Sequence, residues 1–266
     1  MSKHKQILVC AAAGGAIQLE AAIGALQALD ESGALADAEV SYRACSGGAP
    51  PSALHASGLS GAELARIIRS TPMSQLVHRP FGSRYYDISG VYEMLSEHMP
   101  PEPLRNCRVA ITRQRDMYSC MADATPVSVA ASMSIQGVIR GQIIDGETYG
   151  DGGVMNAIPT PKITDISRYD RIFFLLPPVS QEQPGKVGSL FPFFDTEIRA
   201  IAAFAARERA QFHEDGWEEL SNVTLLEPPI PAAAAGRSLL AEMLDWSPGN
   251  CMIDAAYQHA KEHLNR

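Results

Sequence analysis

Short runs of consecutive apolar residues alternate along this chain with longer segments of helical periodicity. The runs have the length of buried strands and lie at 6–11, 38–44, 107–113, 171–178 and 222–229. Helices are predicted between them, at 19–29, 51–58, 59–70, 89–98, 125–135, 193–220 and 250–265. Strands that are apolar throughout and alternate with helices are typical of a mostly parallel sheet covered on both faces. The pattern therefore predicts a three-layer α/β/α sandwich.

Local signals support several of these boundaries. Ser60 precedes an apolar helical pattern and Glu63 follows three residues later, which is the spacing of a capping box. Thr125 is followed by Pro126, a residue that suits the first turn of a helix. The pair Asp145-Gly146 stands between two short polar–apolar stretches and predicts the tip of a hairpin over 141–153.

Composition and charge narrow the class of protein. The length of 266 residues suits one domain over 1–266. A formal charge of −8 argues against nucleic acid as a main partner and against strong electrostatic binding to anionic membranes. Five irregularly spaced cysteines fit a reduced, cytoplasmic compartment better than a disulfide framework. The apolar N-terminal run continues through Gly14-Gly15 into a segment of helical periodicity that contains Gln18, Glu20 and Gln27, so we expect neither a signal peptide nor a membrane span.

Three loops that follow or adjoin strands carry candidate chemistry, because sites in such folds form at the carboxyl ends of the strands. The first loop holds Gly14, Gly15 and Ala16, the second holds Ser46, and the third holds Asp151. Ser46 stands in ACSGG, an A-x-S-x-G variant of the tight turn that exposes a nucleophilic serine. The alternative for Ser46 is an ordinary loop of small residues.

Each of the other two loops also has two possible interpretations. The backbone N–H groups of Gly14, Gly15 and Ala16 lie at a predicted helix N-terminus and are suited to binding an oxyanion. The alternative is that this loop binds a phosphate group. Neither dinucleotide nor P-loop glycine spacing is present, which disfavours nucleotides. Asp151 is flanked by Gly150, Gly152 and Gly153, so it is either a catalytic base or a turn residue.

The histidines are poorer candidates for a catalytic base. His213, His259 and His263 all fall within predicted helices rather than in loops at strand ends. His259 and His263 are four residues apart, a spacing that suits either a metal or, more commonly, a solvated helix face. No motif calls for a metal or another cofactor.

Taken in order, these segments resemble the patatin-like phospholipases over nearly the whole chain. The similar segments are the glycine-rich opening at 7–33, RACSGGAP at 43–50, the helix at 58–68, the stretch 130–159 and the closing segment 244–260. The stretch 130–159 is the most similar, since it joins SIQG to a short hairpin and then to D-G-G. The resemblance implies a patatin-like fold and a Ser–Asp dyad of Ser46 and Asp151.

The same resemblance implies an activity. It indicates a serine esterase that hydrolyses lipid or other acyl esters, with Gly14, Gly15 and Ala16 holding the oxyanion. An acyltransferase, a thioesterase or a non-catalytic acyl-binding protein remain alternatives on the same framework. The family's basic residue and last opening glycine are replaced here by Gln18 and Leu19, which would weaken the oxyanion loop if Leu19 needed a positive φ.

Two segments are candidates for controlling access to such a site. Residues 189–212 begin with a cluster of apolar side chains and continue as an amphipathic helix, which predicts either packing on the sheet or a lid that touches a membrane transiently. The alternative is that residues 71–104 cover the site. The sequence indicates an acyl ester or lipid as substrate and leaves the oligomeric state open.

Overall fold

The computed structural model describes residues 4–178, 192–231 and 249–265. Its strands are β1 (Lys5–Ala11), β2 (Ala38–Cys45), β3 (Leu104–Arg113), β4 (Tyr118–Ala124), β5 (Gln142–Ile144), β6 (Glu147–Asp151), β7 (Arg171–Leu175) and β8 (Val223–Leu226). Its helices are α1 (Gly15–Glu31), α2 (Ala49–Ala56), α3 (Gly61–Ser70), α4 (Met73–Leu76), α5 (Ser89–His98), α6 (Pro126–Met133), α7 (Pro192–Glu214) and α8 (Gly249–Leu264).

The strands form one mixed sheet in the order β5-β6-β3-β2-β1-β7-β8, with β4 also paired to β3. The central pairs β3–β2, β2–β1, β1–β7 and β7–β8 are all parallel. Antiparallel pairing within the sheet is confined, among the described residues, to the β3–β4, β3–β6 and β5–β6 pairs. The fold is therefore the mostly parallel α/β/α sandwich that the sequence predicts.

The two faces of the central strands pack into different cores. Ile7, Val9 and Ala11 of β1 face a large core built mainly with α1, α2, α5 and α6. Leu8 and Cys10, which alternate with them, face a smaller core that includes Phe212 of α7. Burial on both faces explains why these strands are apolar at consecutive positions.

The predicted local signals are present. The Ser60 side chain accepts from the backbone N–H of Glu63 and completes a capping box at α3. The Thr125 side chain accepts from the backbone N–H of Ser128 at the start of α6. Ile144 pairs with Glu147 across the predicted hairpin tip.

The structure also differs from the sequence prediction in several elements. Helix α1 begins at Gly15 rather than near residue 19. The prediction places the start too late because a glycine pair is more typical of a loop than of a helix. Strand β4 is absent from the sequence prediction, since its sequence YSCMADA is half-exposed and lacks an apolar run. Helix α7 ends at Glu214, and a short 3-10 turn follows where the prediction extends the helix to residue 220.

Two further predictions concern membranes and cysteines. None of the helices in the described ranges is long and apolar enough to cross a membrane. All five cysteines lie within those ranges, and their sulfurs form no disulfide there.

Candidate active site

Strand β3 acts as the template that brings Ser46 and Asp151 together. On one side of β3, strand β4 pairs along its length, with Ala110 opposite Met121. On the other side, β2 pairs up to Cys45 opposite Ala110, and β6 takes over at the next residue with Asp151 opposite Ile111. The ends of β2 and β6 therefore meet, although Ser46 and Asp151 are far apart in sequence.

Ser46 stands on a sharp turn between β2 and a 3-10 turn over Ser46–Gly48, which leads into α2. Its φ is 50°, a left-handed conformation that a non-glycine residue adopts only where the surroundings enforce it. One such constraint is the hydroxyl of Ser132 on α6, which accepts from the backbone N–H of Ser46 at 3.0 Å.

The turn also packs tightly against the opening of α1. A Cβ atom built at Gly47 would lie 1.9 Å from the carbonyl oxygen of Gly15, so any side chain at Gly47 would overlap the backbone. The Gly14–Ala16 loop and the Ser46 turn are thus in direct contact. This explains why small residues occupy the Ser46 turn.

The carboxylate of Asp151 is held by three donors. The Ser46 hydroxyl donates to Asp151 Oδ2 at 2.6 Å, and the backbone N–H of Gly153 donates to Oδ1 at 2.7 Å. The Cys45 thiol lies 3.9 Å from the same Oδ1. The side-chain amide of Gln136 donates to the Asp151 carbonyl at 2.9 Å, so the main chain is anchored as well.

Burial sets the electrostatics of this pair. Asp151 is 4% exposed and Ser46 is 6% exposed. Loss of hydration raises the pKa of Asp151 from 3.8 to about 6, against the lowering effect of the hydrogen bonds from Ser46, Gly153 and Cys45. Burial also raises the pKa of the Cys45 thiol well above its usual value, and the Asp151 charge adds to this effect. The carboxylate is thus a stronger base than an exposed aspartate, while Cys45 is kept protonated.

The Gly14–Ala16 loop forms the N-terminus of α1, where the first N–H groups have no partner within the helix. Leu19 lies within α1 and is buried, and it is not among the residues with a positive φ, so its side chain causes no strain there. The side-chain amide of Gln18 donates to the Leu175 carbonyl on β7 at 2.8 Å. Gln18 thus ties α1 to the sheet and adds no charge to the loop.

Three of the imidazoles have hydrogen-bond partners away from Ser46. His213 lies on α7 and donates to Glu218 at 2.7 Å, and His263 on α8 donates to the His259 carbonyl at 2.9 Å. His55 connects the Tyr42 hydroxyl to Asp30, at 2.6 and 2.9 Å. Throughout the described ranges, no imidazole hydrogen-bonds to Ser46.

The metal alternative for His259 and His263 requires further ligands close to the two imidazoles. Their rings lie 4.1 Å apart on α8. In the ranges that the structure describes, no group of three or more His, Cys, Asp or Glu side chains is arranged to hold a metal ion.

Sequence reasoning missed three polar residues that surround the pair. Ser132 supports the Ser46 turn, Gln136 anchors Asp151, and Glu208 on α7 accepts from the backbone N–H of Ala157 in the loop after D-G-G. Burial raises the pKa of Glu208. The available signal was weak: Ser132 is a serine on an otherwise apolar helix face, and Glu208 lies far along the chain in a helix of mixed polarity.

The access segments are described in part. The start of the candidate lid, 189–191, lies outside the described residues, as do 244–248 of the predicted closing segment. In the described part of α7, Phe212 is buried against Phe174 with ring centroids 4.8 Å apart and stacks on Trp217. This end of α7 therefore packs on the sheet.

The fold and the site together define an α/β/α sandwich with a buried serine–aspartate pair at the junction of two strands. No protein-family model matches the sequence, and no curated protein does. Among solved structures, the chain is similar to the crystal structure of VipD from Legionella pneumophila, with a TM-score of 0.49 and 13% sequence identity. The similarity covers 99% of this chain and 67% of that one.

Proposed function

We propose that this protein is a serine acyl hydrolase of the patatin-like type, which cleaves lipid or other acyl esters with a dyad of Ser46 and Asp151. The observation that carries the proposal is the 2.6 Å hydrogen bond from the Ser46 hydroxyl to a buried carboxylate, without an imidazole between them. The ordered set of sequence motifs that resembles the patatin-like phospholipases supports the same assignment.

The proposed reaction has two halves. Asp151 Oδ2 accepts the Ser46 proton while Ser46 Oγ attacks the ester carbonyl carbon and forms a tetrahedral intermediate. Collapse of that intermediate breaks the bond to the alcohol oxygen, which takes the proton from Asp151 and leaves. Water then attacks the acyl-serine with Asp151 again as base, releasing the acid and restoring Ser46.

The backbone around the dyad suits this chemistry. The N–H groups of Gly14, Gly15 and Ala16 at the start of α1 are the proposed donors to the oxyanion, because the helix N-terminus carries partial positive charge. The pKa of about 6 for Asp151 leaves it ionised at neutral pH and still basic enough to accept a proton.

The test combines a covalent probe with ester hydrolysis. We expect a fluorophosphonate to label the wild-type protein and not Ser46→Ala, and p-nitrophenyl esters of graded chain length to be hydrolysed only by the wild type. Ser52→Ala is the matched control, because Ser52 is also buried and its hydroxyl bonds the Gly48 carbonyl of its own helical turn. Labelling or turnover that persists in Ser46→Ala would contradict the assignment.

The alternatives predict different products. Probe labelling with transfer of the acyl group to an added alcohol in preference to water would indicate an acyltransferase. Hydrolysis of acyl thioesters in preference to oxygen esters would indicate a thioesterase. Absence of labelling in the folded wild-type protein would indicate a non-catalytic acyl-binding protein.

A further inference from the structure

A tight turn between α4 and α5 holds an aromatic side chain out into solvent. Phe81 is 109% exposed, the highest value among the large hydrophobic residues that the structure describes. The Ser83 N–H donates to the Pro80 carbonyl at 3.0 Å and closes the turn around Phe81, and Gly82 takes the positive φ of 75° that the turn requires. The ring therefore sits at the tip of the turn.

Hydrogen bonds make this turn an ordered structure. Arg79 Nε donates to the Ser83 carbonyl at 2.9 Å. The Ser83 hydroxyl donates to the Tyr85 carbonyl at 2.9 Å and accepts from the Tyr85 N–H at 3.0 Å. Binding through the Phe81 ring would therefore cost little backbone conformational entropy, because these hydrogen bonds already hold the turn in its shape.

The turn is fixed relative to the candidate active site. His78 and Asp87 exchange two backbone hydrogen bonds at its base. Tyr86 then pairs with the segment at 138–140 through its N–H and its carbonyl. That segment follows Gln136, whose amide is bonded to the carbonyl of Asp151. Backbone contacts thus link the base of the turn to the segment that anchors Asp151.

The sequence on both sides of the ring is basic, although the whole chain carries −8. Arg79 and Arg84 are both exposed and flank Phe81, and no acidic residue occurs between 78 and 86. The Arg84 guanidinium lies 4.5 Å from the centre of the Tyr85 ring, an arrangement that leaves it at the surface beside a second aromatic residue. Single exposed apolar residues are common, but a basic aromatic tip on an acidic protein is a more specific feature.

We propose that this turn, residues 79–84, is an interfacial anchor that binds anionic lipid surfaces. Phe81 enters the acyl-chain region, and Arg79 and Arg84 pair with headgroup phosphates. The negative charge of the rest of the chain orients the turn toward such a surface. Binding through this turn holds the protein at the surface that contains its lipid substrate. The last statement rests on the proposed function, whereas the binding itself does not.

Vesicle co-sedimentation tests the anchor. It uses vesicles of phosphatidylcholine alone or mixed with phosphatidylglycerol, and all variants are built in the Ser46→Ala background so that no turnover occurs. We expect Phe81→Ala to lower the partition coefficient on mixed vesicles about tenfold or more. The double change Arg79→Gln and Arg84→Gln should lower it by a similar factor, on mixed vesicles only, and added salt should weaken wild-type binding.

Ile163→Ala is the matched control for removing an exposed apolar side chain. Ile163 is 80% exposed and lies in the 3-10 turn that precedes β7, outside residues 79–84. Its removal should leave vesicle binding unchanged. The double change to lysine at Arg79 and Arg84 keeps the charge and should retain most of the binding.

The outcomes separate the anchor from the activity. Equal binding by wild type and Phe81→Ala, or binding to neutral vesicles that is as strong as to anionic ones, would overturn the anchor. Failure of the wild type to bind either vesicle would also overturn it and point to a protein partner for the turn. Vesicle binding that follows the expected pattern in a protein that hydrolyses no ester would sink the proposed function and leave the anchor in place.

Discussion

Replacing Asp151 by Asn should inactivate the protein and stabilise it at the same time. Asp151 is buried, and burial raises its pKa from 3.8 to about 6 in the folded protein. An unfolded chain hydrates the same carboxylate freely. At neutral pH the folded state therefore contains an ionised group that would be more stable in water, and Asn removes that charge while keeping a similar shape.

The size of the effect follows from the two pKa values. Because the pKa is raised in the folded state, the neutral form of the carboxyl favours folding. This contribution to the free energy of unfolding is fully present below about pH 4 and is lost as the pH rises through about 6. Above that range, the difference between the two pKa values corresponds to about 3 kcal/mol of lost stability. The Asp151→Asn variant would lack this pH dependence, so its gain in stability should reach about 1–3 kcal/mol near pH 8 and vanish near pH 4.

Turnover should also depend on the ionisation of Asp151. The ionised carboxylate lowers stability, but it is the form that the reaction needs. In the proposed mechanism Asp151 is the general base and must be deprotonated, so the wild-type kcat/KM should fall about tenfold for each pH unit below about 6 and be level above it. Asp151→Asn cannot accept the Ser46 proton and should lose about 10²–10⁴-fold in kcat. The Ser46 hydroxyl would still find a hydrogen-bond partner, which is why the fold should survive.

Urea unfolding near pH 8 and near pH 4, together with pH-stat hydrolysis of a soluble ester, measures both effects. Asp145→Asn is the matched control: it is the same change in another Asp-Gly pair, at the exposed hairpin tip, where Asn-Gly suits the turn equally well. It should alter neither stability nor turnover. A kcat/KM that stays level down to about pH 5, or an Asp151→Asn protein no more stable than wild type near pH 8, would refute the reasoning.

Three further predictions concern the surroundings of the dyad. Ser132→Ala leaves the buried N–H of Ser46 without its acceptor, so it should cost about 1–3 kcal/mol in urea unfolding and lower kcat more than it changes KM. Gly47→Ala should destabilise the fold by about 3 kcal/mol or more in thermal unfolding, because its Cβ would overlap the Gly15 carbonyl; near wild-type stability would show that the two loops can separate. Cys45 should remain unmodified by iodoacetamide near neutral pH, since burial raises its pKa; a labelled Cys45 peptide in mass spectrometry would contradict this.

The sequence alone was enough to predict the central layers of the fold. Strands β1 and β7 are buried on both faces, and that burial appears directly as consecutive apolar residues. Local signals such as the Ser60–Glu63 capping box depend only on residues a few positions apart, and the structure contains them. These features are encoded within single segments.

Only the tertiary structure determined the contacts between segments that are far apart in the sequence. The hairpin that contains Asp151 is predicted from sequence, but its pairing with β3 at the residue after the last partner of β2 depends on strand register, which no local pattern encodes. Strand β4 was missed for a related reason, because its half-exposed residues gain their order from pairing with β3. The raised pKa of Asp151 likewise arises from burial by segments far apart in the chain, because hydration depends on every atom nearby and not on sequence neighbours.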